Sequence, residues 1–290
     1  MESEKCRALL CAIEKGSITG AAETMGYTIS GISRMLASLE SEVGFLLLRR
    51  GREGVAPTRE CLQLLPAMRE IVAQARLCRQ TADEMRGLMA GTVAIGTFSS
   101  VATHWLPNMI CRFRQDYPHV DFELLMGSYP EIEQWVAQGR ADCGFLRLPA
   151  QTDLETVCLE EDELLAVLPE GHPLAQLERV PIRALGEEPF ILLDKAGQRD
   201  RDVMCVFERA GVVPQVRFAT LDDYAIMSMV EHGLGVSILP KLVLTRIPYR
   251  IALRPLEQSA FRQIGLAVRR GDPLSPATSR FMAYLAYRNS

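Results

Sequence analysis

Gly16-Ser17-Ile18-Thr19-Gly20-Ala21-Ala22-Glu23-Thr24-Met25-Gly26-Tyr27-Thr28-Ile29-Ser30-Gly31-Ile32-Ser33-Arg34 is the stretch that decides how this chain is read. Gly16 stops one helix, and Ser17 or Thr19 caps the next, in which Ala21 and Ala22 are small enough for close helix contact. Gly26 suits the left-handed residue that ends this short helix, so the turn falls at Gly26-Tyr27. Thr28 then caps a third helix, whose apolar residues Ile32, Leu36, Leu39 and Val43 recur at helical spacing. Upstream, Cys6, Leu9, Leu10 and Ile13 follow the same spacing, which predicts a first helix ending near Lys15.

The third helix leaves Thr28, Ile29, Ser30, Ser33 and Arg34 toward its N-terminal, outward side, where hydroxyls and an arginine reach phosphates and base edges in a DNA major groove. After Gly44, the apolar run Phe45-Leu46-Leu47-Leu48 leads into Arg49-Arg50-Gly51-Arg52-Glu53-Gly54-Val55. This reads as a hairpin-like wing whose Arg49, Arg50 and Arg52 lie over the phosphate backbone. Double-stranded DNA is the partner these residues predict; the alternative is a plain three-helix packing unit with a solvated arginine face. Overall charge does not decide between them. Residues 1–90 hold 12 Lys/Arg against 11 Asp/Glu and residues 91–290 hold 20 against 25, so the signal is the local arginine cluster.

The run Gly16 to Ala22, then Ile32-Ser33, Leu39-Glu40, Val43-Gly44, Leu48 with Arg50, and Thr58, resembles the DNA-binding domain of LysR-type transcriptional regulators. The resemblance continues along the whole chain. Ile29 stands where that family commonly has a glutamine touching DNA, and Pro57 and Cys61 replace its usual Leu and Gly around Thr58. The resemblance implies a regulator working as a homodimer or homotetramer, with RNA polymerase as a further partner.

Residues 61, 64, 68, 71, 75, 78, 82, 85 and 89 form an unbroken 3-4 apolar alternation, the pattern of a coiled-coil seam. Such a helix would span roughly 40 Å at 1.5 Å per residue, longer than one small domain needs. Dimerisation through it is expected, with packing on its own chain as the alternative. Pro66 should kink this helix or mark a restarted first turn.

From Gly91 short apolar strands alternate with helices: Thr92 to Gly96, Val120 to Met126, Cys143 to Leu146, Leu164 to Leu168, Phe190 to Leu193, Val216 to Ala219, Gly235 to Leu239 and Ile264 to Val268. Alternation of this kind predicts an α/β unit with largely parallel sheets. The family resemblance implies two subdomains like those of periplasmic solute-binding proteins, with an effector in the cleft between them. The expected architecture is therefore multidomain α and α/β: a winged helix-turn-helix over 1–58, a linker helix over 59–90 and an effector-binding domain over 91–290. Subdomain I takes about 91–161 and 266–290, and subdomain II about 162–265. Ligands in such sheets sit at strand C-terminal ends, which selects Thr97, Ser99, Ser100, Ser128, Arg147, Asp194 and Thr220. By resemblance, Ser99, Ser100 and Thr220 match positions where family members contact effectors; helix capping is the alternative for Ser99, Ser128 and Thr220. Arg147 points to an anionic effector, or to a surface ion pair. Asp222 and Asp223 read as caps.

With 290 residues, 48% of them hydrophobic and 23% charged, the chain is long enough for two folded units and too apolar for disorder. The acidic start Met1-Glu2-Ser3-Glu4 does not resemble a secretory leader, and no apolar run approaches the ~18 residues of a membrane span, so the cytoplasm is the expected location. Eight cysteines and four histidines are scattered without metal-ligand spacing, so no metal or other cofactor is expected. A redox-controlled regulator is the alternative, since peroxide-sensing members of the family use a cysteine pair; Cys205 lacks a near partner in sequence. Gly233-Leu234-Gly235 lacks the third glycine and preceding strand of a dinucleotide site, and no other catalytic motif appears, so no enzyme is expected. A solute-binding transport protein would need a leader and no DNA-reading unit.

Overall fold

The computed structural model describes residues 1–51, 54–86, 90–195 and 198–289. The chain opens with α1 (Ser3–Lys15), α2 (Ile18–Met25) and α3 (Ile29–Val43). The predicted caps form: the Ser17 hydroxyl accepts from the Gly20 amide at 3.3 Å, and Thr28 Oγ1 accepts from the Gly31 amide at 3.1 Å. Gly26 ends α2 at φ +70°. Leu9, Ala12, Ala21, Ile32, Leu36 and Leu39 are fully or almost fully buried between the three helices. At roughly 1.5–3 kcal/mol for each large aliphatic side chain, this small core is what holds the head together.

The strands β1 (Leu48–Gly51) and β2 (Gly54–Pro57) pair antiparallel, with Leu48 opposite Pro57. Glu40 anchors the hairpin, its carboxylate accepting from the amides of Leu47 and Leu48 at 2.8 and 3.2 Å. At the other edge Val55 N–H donates to Gly16 O at 2.9 Å, and Gly54, at φ +111°, lies so close that a β-carbon there would sit 2.2 Å from that oxygen. The wing is thus stitched to the α1–α2 turn.

One helix, α4 (Arg59–Met85), leaves the head, capped by the Thr58 hydroxyl, which accepts from the Cys61 amide and donates to Leu46 O. It runs through Pro66 as a single helix rather than restarting there. The missing donor of Pro66 affects only the carbonyl of Leu62, a residue 55% exposed. The first half of the expected seam packs on the chain's own head: Cys61 and Met68 are fully buried there, with Leu64 and Ile71 at the edge. Further along, Cys78, Ala82 and Met85 are exposed. Met89 lies outside the described residues.

The remaining chain builds two lobes. The first holds β3 (Gly91–Thr97), α5 (Ser99–His104), α6 (Leu106–Asp116), β4 (Val120–Met126), α7 (Tyr129–Ala137) and β5 (Cys143–Leu148). A long strand, β6 (Leu154–Pro169), then crosses to the second lobe of α8 (Ile182–Glu187), β7 (Pro189–Lys195), β8 (Gln198–Arg199), α9 (Arg201–Ala210), β9 (Gln215–Thr220), α10 (Asp223–Glu231), β10 (Ser237–Pro240) and β11 (Ile251–Pro255). The return strand β12 (Phe261–Arg269) leads to α11 (Pro276–Met282) and a closing 3-10 segment, Ala283–Asn289, back on the first lobe.

The sheets are mixed rather than largely parallel. β3 is parallel to β4 and β5, and β7 to β9, but β12 runs antiparallel to both β5 and β6, and β10 and β11 antiparallel to β6. The order β10-β6-β12-β5-β3-β4, with β11 also on β6, makes one continuous sheet. Continuity through β6 and β12 explains the departure, since a chain that crosses and returns once must do so in opposite directions. Separate cores flank the crossing, Trp105, Phe113, Phe145 and Phe281 in the first lobe and Phe190, Phe207, Ile226 and Val230 in the second.

Candidate functional site

On the head, Thr28, Ile29, Ser30, Arg34, Arg49 and Arg50 are all exposed, while Ser33 is half-buried. Thr28 Oγ1 lies 3.1 Å from Ser30 Oγ, and Arg34 Nε donates to Ser30 O at 3.4 Å. Along β1 only Leu48 faces the core, which leaves both arginines in solvent. Arg52 lies outside the described residues.

Between the two lobes lies a cavity of about 280 Å³. Its first wall comes from chain segments just past strand ends: Phe98, Ser99 and Ser100 after β3, Gly127 to Pro130 after β4, and Arg147 with Pro149 around the end of β5. Its second wall comes from Leu193, from Asp200 to Asp202 at the start of α9, from Asp223, and from Pro240 and Val243. Arg262 on β12 contributes from the strand that joins the lobes.

Arg262 organises this site, and sequence reasoning missed it. The side chain is 6% exposed, with Nε and Nη2 on Asp162 Oδ2 at 2.8 and 2.7 Å, Nη2 also on Ser100 Oγ at 2.9 Å, and Nη1 on the Tyr129 hydroxyl at 3.1 Å. Its guanidinium carbon stands 5.2 Å from the centroid of the Phe98 ring. Burial opposes its charge, yet Tyr129 and Asp162 outweigh burial and drive its pKa upward. Burial also opposes ionisation of the Tyr129 hydroxyl and raises its pKa, with Arg262 pulling the other way. Asp162, on β6, also accepts from the Leu242 amide at 2.9 Å.

The predicted effector residues divide. Ser99, Ser100, Ser128 and Arg147 line the cavity. Ser100 is held by Arg262, and Ser128 by Glu131, whose Oε2 takes both its hydroxyl and its amide at 2.6 and 2.8 Å. Thr97 is fully buried beneath the wall, its hydroxyl turned to Phe98 O. Asp194 lies on β7 and Thr220 at the end of β9, where it accepts from the Asp222 amide at 3.4 Å; neither is among the lining residues. Asp223, read as a cap, is buried and lines the cavity, whereas Asp222 does cap α10 by accepting from the Tyr224 amide.

Arg147 is not a free cation. Its Nε meets Asp202 Oδ1 at 2.7 Å, an ion pair that crosses the cleft from one lobe to the other. Burial raises the pKa of Asp202, with Arg147 opposing and Asp200 assisting. Local sequence signals could flag Asp200, an N-cap that accepts from the amides of Asp202 and Val203, but not the pairing with Arg147.

At the opposite end of α7 the first lobe grips the linker and the head. Gln138 pairs with Arg69, Asp142 with Arg76, Glu70 with Arg269, and Arg140, stacked on Trp135, with Glu14 of α1. Asp142 Oδ2 also accepts from the Ala94 amide at 2.7 Å; burial raises its pKa against the pull of Arg76. Gln80 Nε2 donates to Thr92 O at 3.1 Å, across the start of β3.

Among the described residues no group of three or more metal-ligating side chains converges, and no helix is long and apolar enough to cross a membrane. All eight cysteines are free thiols; burial raises Cys61 to about 11 and Cys143 still further, while Cys205 lines a separate pocket with Arg147, Asp202 and Arg209.

Comparison with known proteins matches residues 3–62 to the bacterial regulatory helix-turn-helix protein model of the lysR family and residues 86–289 to the LysR substrate binding domain model. The probable transcriptional regulator LrrA of Synechococcus elongatus is 31% identical over 286 residues, covering 98% of this chain and 96% of that one. The uncharacterised regulator YvbU of Bacillus subtilis is 30% identical over 258 residues, 88% of this chain and 87% of the other. Among solved structures, a variant of full-length OxyR from Pseudomonas aeruginosa superposes with a TM-score of 0.77 at 20% identity, covering 100% of this chain and 98% of its own, a likeness of fold. HinK from the same organism gives 0.62 at 25% identity, covering 99% and 98%.

Proposed function

The chain belongs to the LysR family of transcriptional regulators, and from that premise we propose that it reads a specific duplex site as a homodimer or homotetramer in the cytoplasm, under control of a small molecule held between its lobes. It is a regulator and not an enzyme. The observation that carries the control mechanism is the placement of α7. Its N-terminal half, with Tyr129, Pro130 and Glu133, lines the cavity, and the segment just past its last turn holds α4 and α1 through Gln138, Arg140 and Asp142. Nine helical residues span roughly 13 Å and do not bend easily, so a shift of the cleft wall is carried to the linker and the head as a rigid displacement. The effector acts by binding one arrangement of the lobes better than the other.

On the head, α3 supplies Ile29, Ser30, Ser33 and Arg34 for the major groove, and Arg49 and Arg50 of the wing supply phosphate contacts, with Arg52 assigned to the same role from sequence. The exposed Cys78, Ala82 and Met85 of α4 offer the seam to a second copy, which places two heads for half-sites about one DNA turn apart. RNA polymerase is the protein met at such a site.

The test is selection of host genomic fragments by the full chain, followed by footprinting. Enrichment of a small set of sites with two half-sites about one turn apart is expected, lost in the Arg34→Ala, Arg50→Ala double variant. Recovery of random fragments only, or enrichment unchanged in that variant, refutes the reading.

A further inference from the structure

Two of the cleft's three arginines are already paired with carboxylates, and this bears on which molecules can enter it. Among the described lining residues three arginines, Arg147, Arg201 and Arg262, face four carboxylates, Glu133, Asp200, Asp202 and Asp223. Arg262 is neutralised by Asp162 and Arg147 by Asp202, while Arg201 stands exposed at the rim. Three of the helix N-termini at the cleft are committed as well: Asp200 caps α9, Asp222 caps α10 and Glu131 closes the start of α7, while the start of α5 at Ser99 has no side-chain cap and presents neutral backbone amides. A carboxylate buried against Arg262 and Arg147 would lose its water beside arginines already paired, and the one lining arginine without a partner among the described residues, Arg201, is solvent-exposed, where its attraction is screened.

One donor remains. Of the five N–H bonds of Arg262, four are engaged by Asp162, Ser100 and Tyr129, and the second hydrogen of Nη1 is left on a 94%-buried side chain that lines the cavity. Because Asp162 cancels the charge, this N–H calls for a neutral acceptor such as an amide, ketone or hydroxyl oxygen. Around it Phe98, Pro130, Pro149, Leu193, Pro240 and Val243 present apolar surface. We propose that the cleft selects an effector that carries no carboxylate: a compact molecule with an apolar body and a neutral oxygen that accepts from Arg262. This rests on the cleft being the effector site, and it replaces the anionic effector that Arg147 alone suggests.

Isosteric pairs that differ only in charge test it on the full-length chain by thermal shift and calorimetry: benzamide against benzoate, and isobutyramide against isobutyrate. The amide of each pair is expected to bind at least about tenfold tighter than its acid. Asp202→Asn, which uncovers Arg147, is expected to move that preference at least about tenfold toward the acid. Asp162→Asn should do the same through Arg262, and Asp202→Asn stands alone if the more buried variant fails to fold. Ser99→Trp, filling the cavity, should abolish binding of both members. Acid preferred over amide in the native chain, with binding lost in Ser99→Trp, overturns the proposal and leaves the cleft as the effector site. A preference that Asp202→Asn leaves unmoved overturns the charge argument in the same way. Binding that survives Ser99→Trp, or silence from both pairs up to millimolar concentration in native chain and variants, overturns the cleft reading together with the proposal.

Discussion

Replacing Arg262 by methionine should destabilise the two-lobed domain more than any change on its surface. The substitution keeps an unbranched apolar side chain in place and removes a charge from beside Asp162, a residue 4% exposed. Asp162 then keeps only the Leu242 amide, and Ser100 and Tyr129 lose the guanidinium that joins them. Removing one partner of a buried ion pair costs ~3–5 kcal/mol, because the other charge stays buried without compensation. For a unit of about 200 residues, at ~2–4 °C per kcal/mol, the melting temperature should fall by roughly 6–20 °C. Adding Asp162→Asn removes the stranded charge and keeps a carbonyl oxygen for the Leu242 amide, so the double variant should recover more than half of the loss. Urea unfolding of the single and double variants, with the slope m checked for constancy, measures both. A loss below about 1 kcal/mol for Arg262→Met, or a double variant no more stable than the single, refutes the view that this pair organises the cleft.

Three further outcomes follow from the geometry. Gly54→Ala should cost the head ~1–3 kcal/mol, since φ +111° and a backbone oxygen 2.2 Å from the new β-carbon both oppose it; Gly51→Ala, with open space around it, is the near-neutral control, and duplex binding should fall only in the first. Arg49→Ala and Arg50→Ala should each reduce the slope of log affinity against log salt by about 0.9 on unselected duplex, and an unchanged slope in both removes the wing from the phosphate backbone. Burial, helped by Arg246, lowers the pKa of His104 below its ordinary 6.5, so the fold favours the neutral ring. A depressed folded pKa contributes stability above the unfolded value that is lost as pH falls through the folded one, so the urea midpoint should drop from about pH 7.5 down to about 5 and drop less in His104→Asn.

The head was legible because its signals are local. A cap, a glycine turn and a 3-4 apolar repeat each act within a few residues, so Ser17, Gly26 and Thr28 could be assigned their roles from the string alone, and the exposed arginines of the wing follow from where the apolar run ends. Alternation of strands and helices was legible for the same reason, and four of the seven cleft residues chosen from strand ends do line the cavity. Strand direction was not, because the acidic half of β6, Glu155 to Glu163, lacks a strand's apolar signature, and without it the single crossing between lobes is invisible. The character of the cleft was decided only by tertiary structure. Arg147 meets Asp202 across 55 residues of chain, Arg262 meets Asp162 across 100 and Ser100 across 162. Whether an arginine is a free cation or half of a cancelled pair depends on what folding brings within about 3 Å of it, and charge compensation over such separations leaves no trace in local spacing.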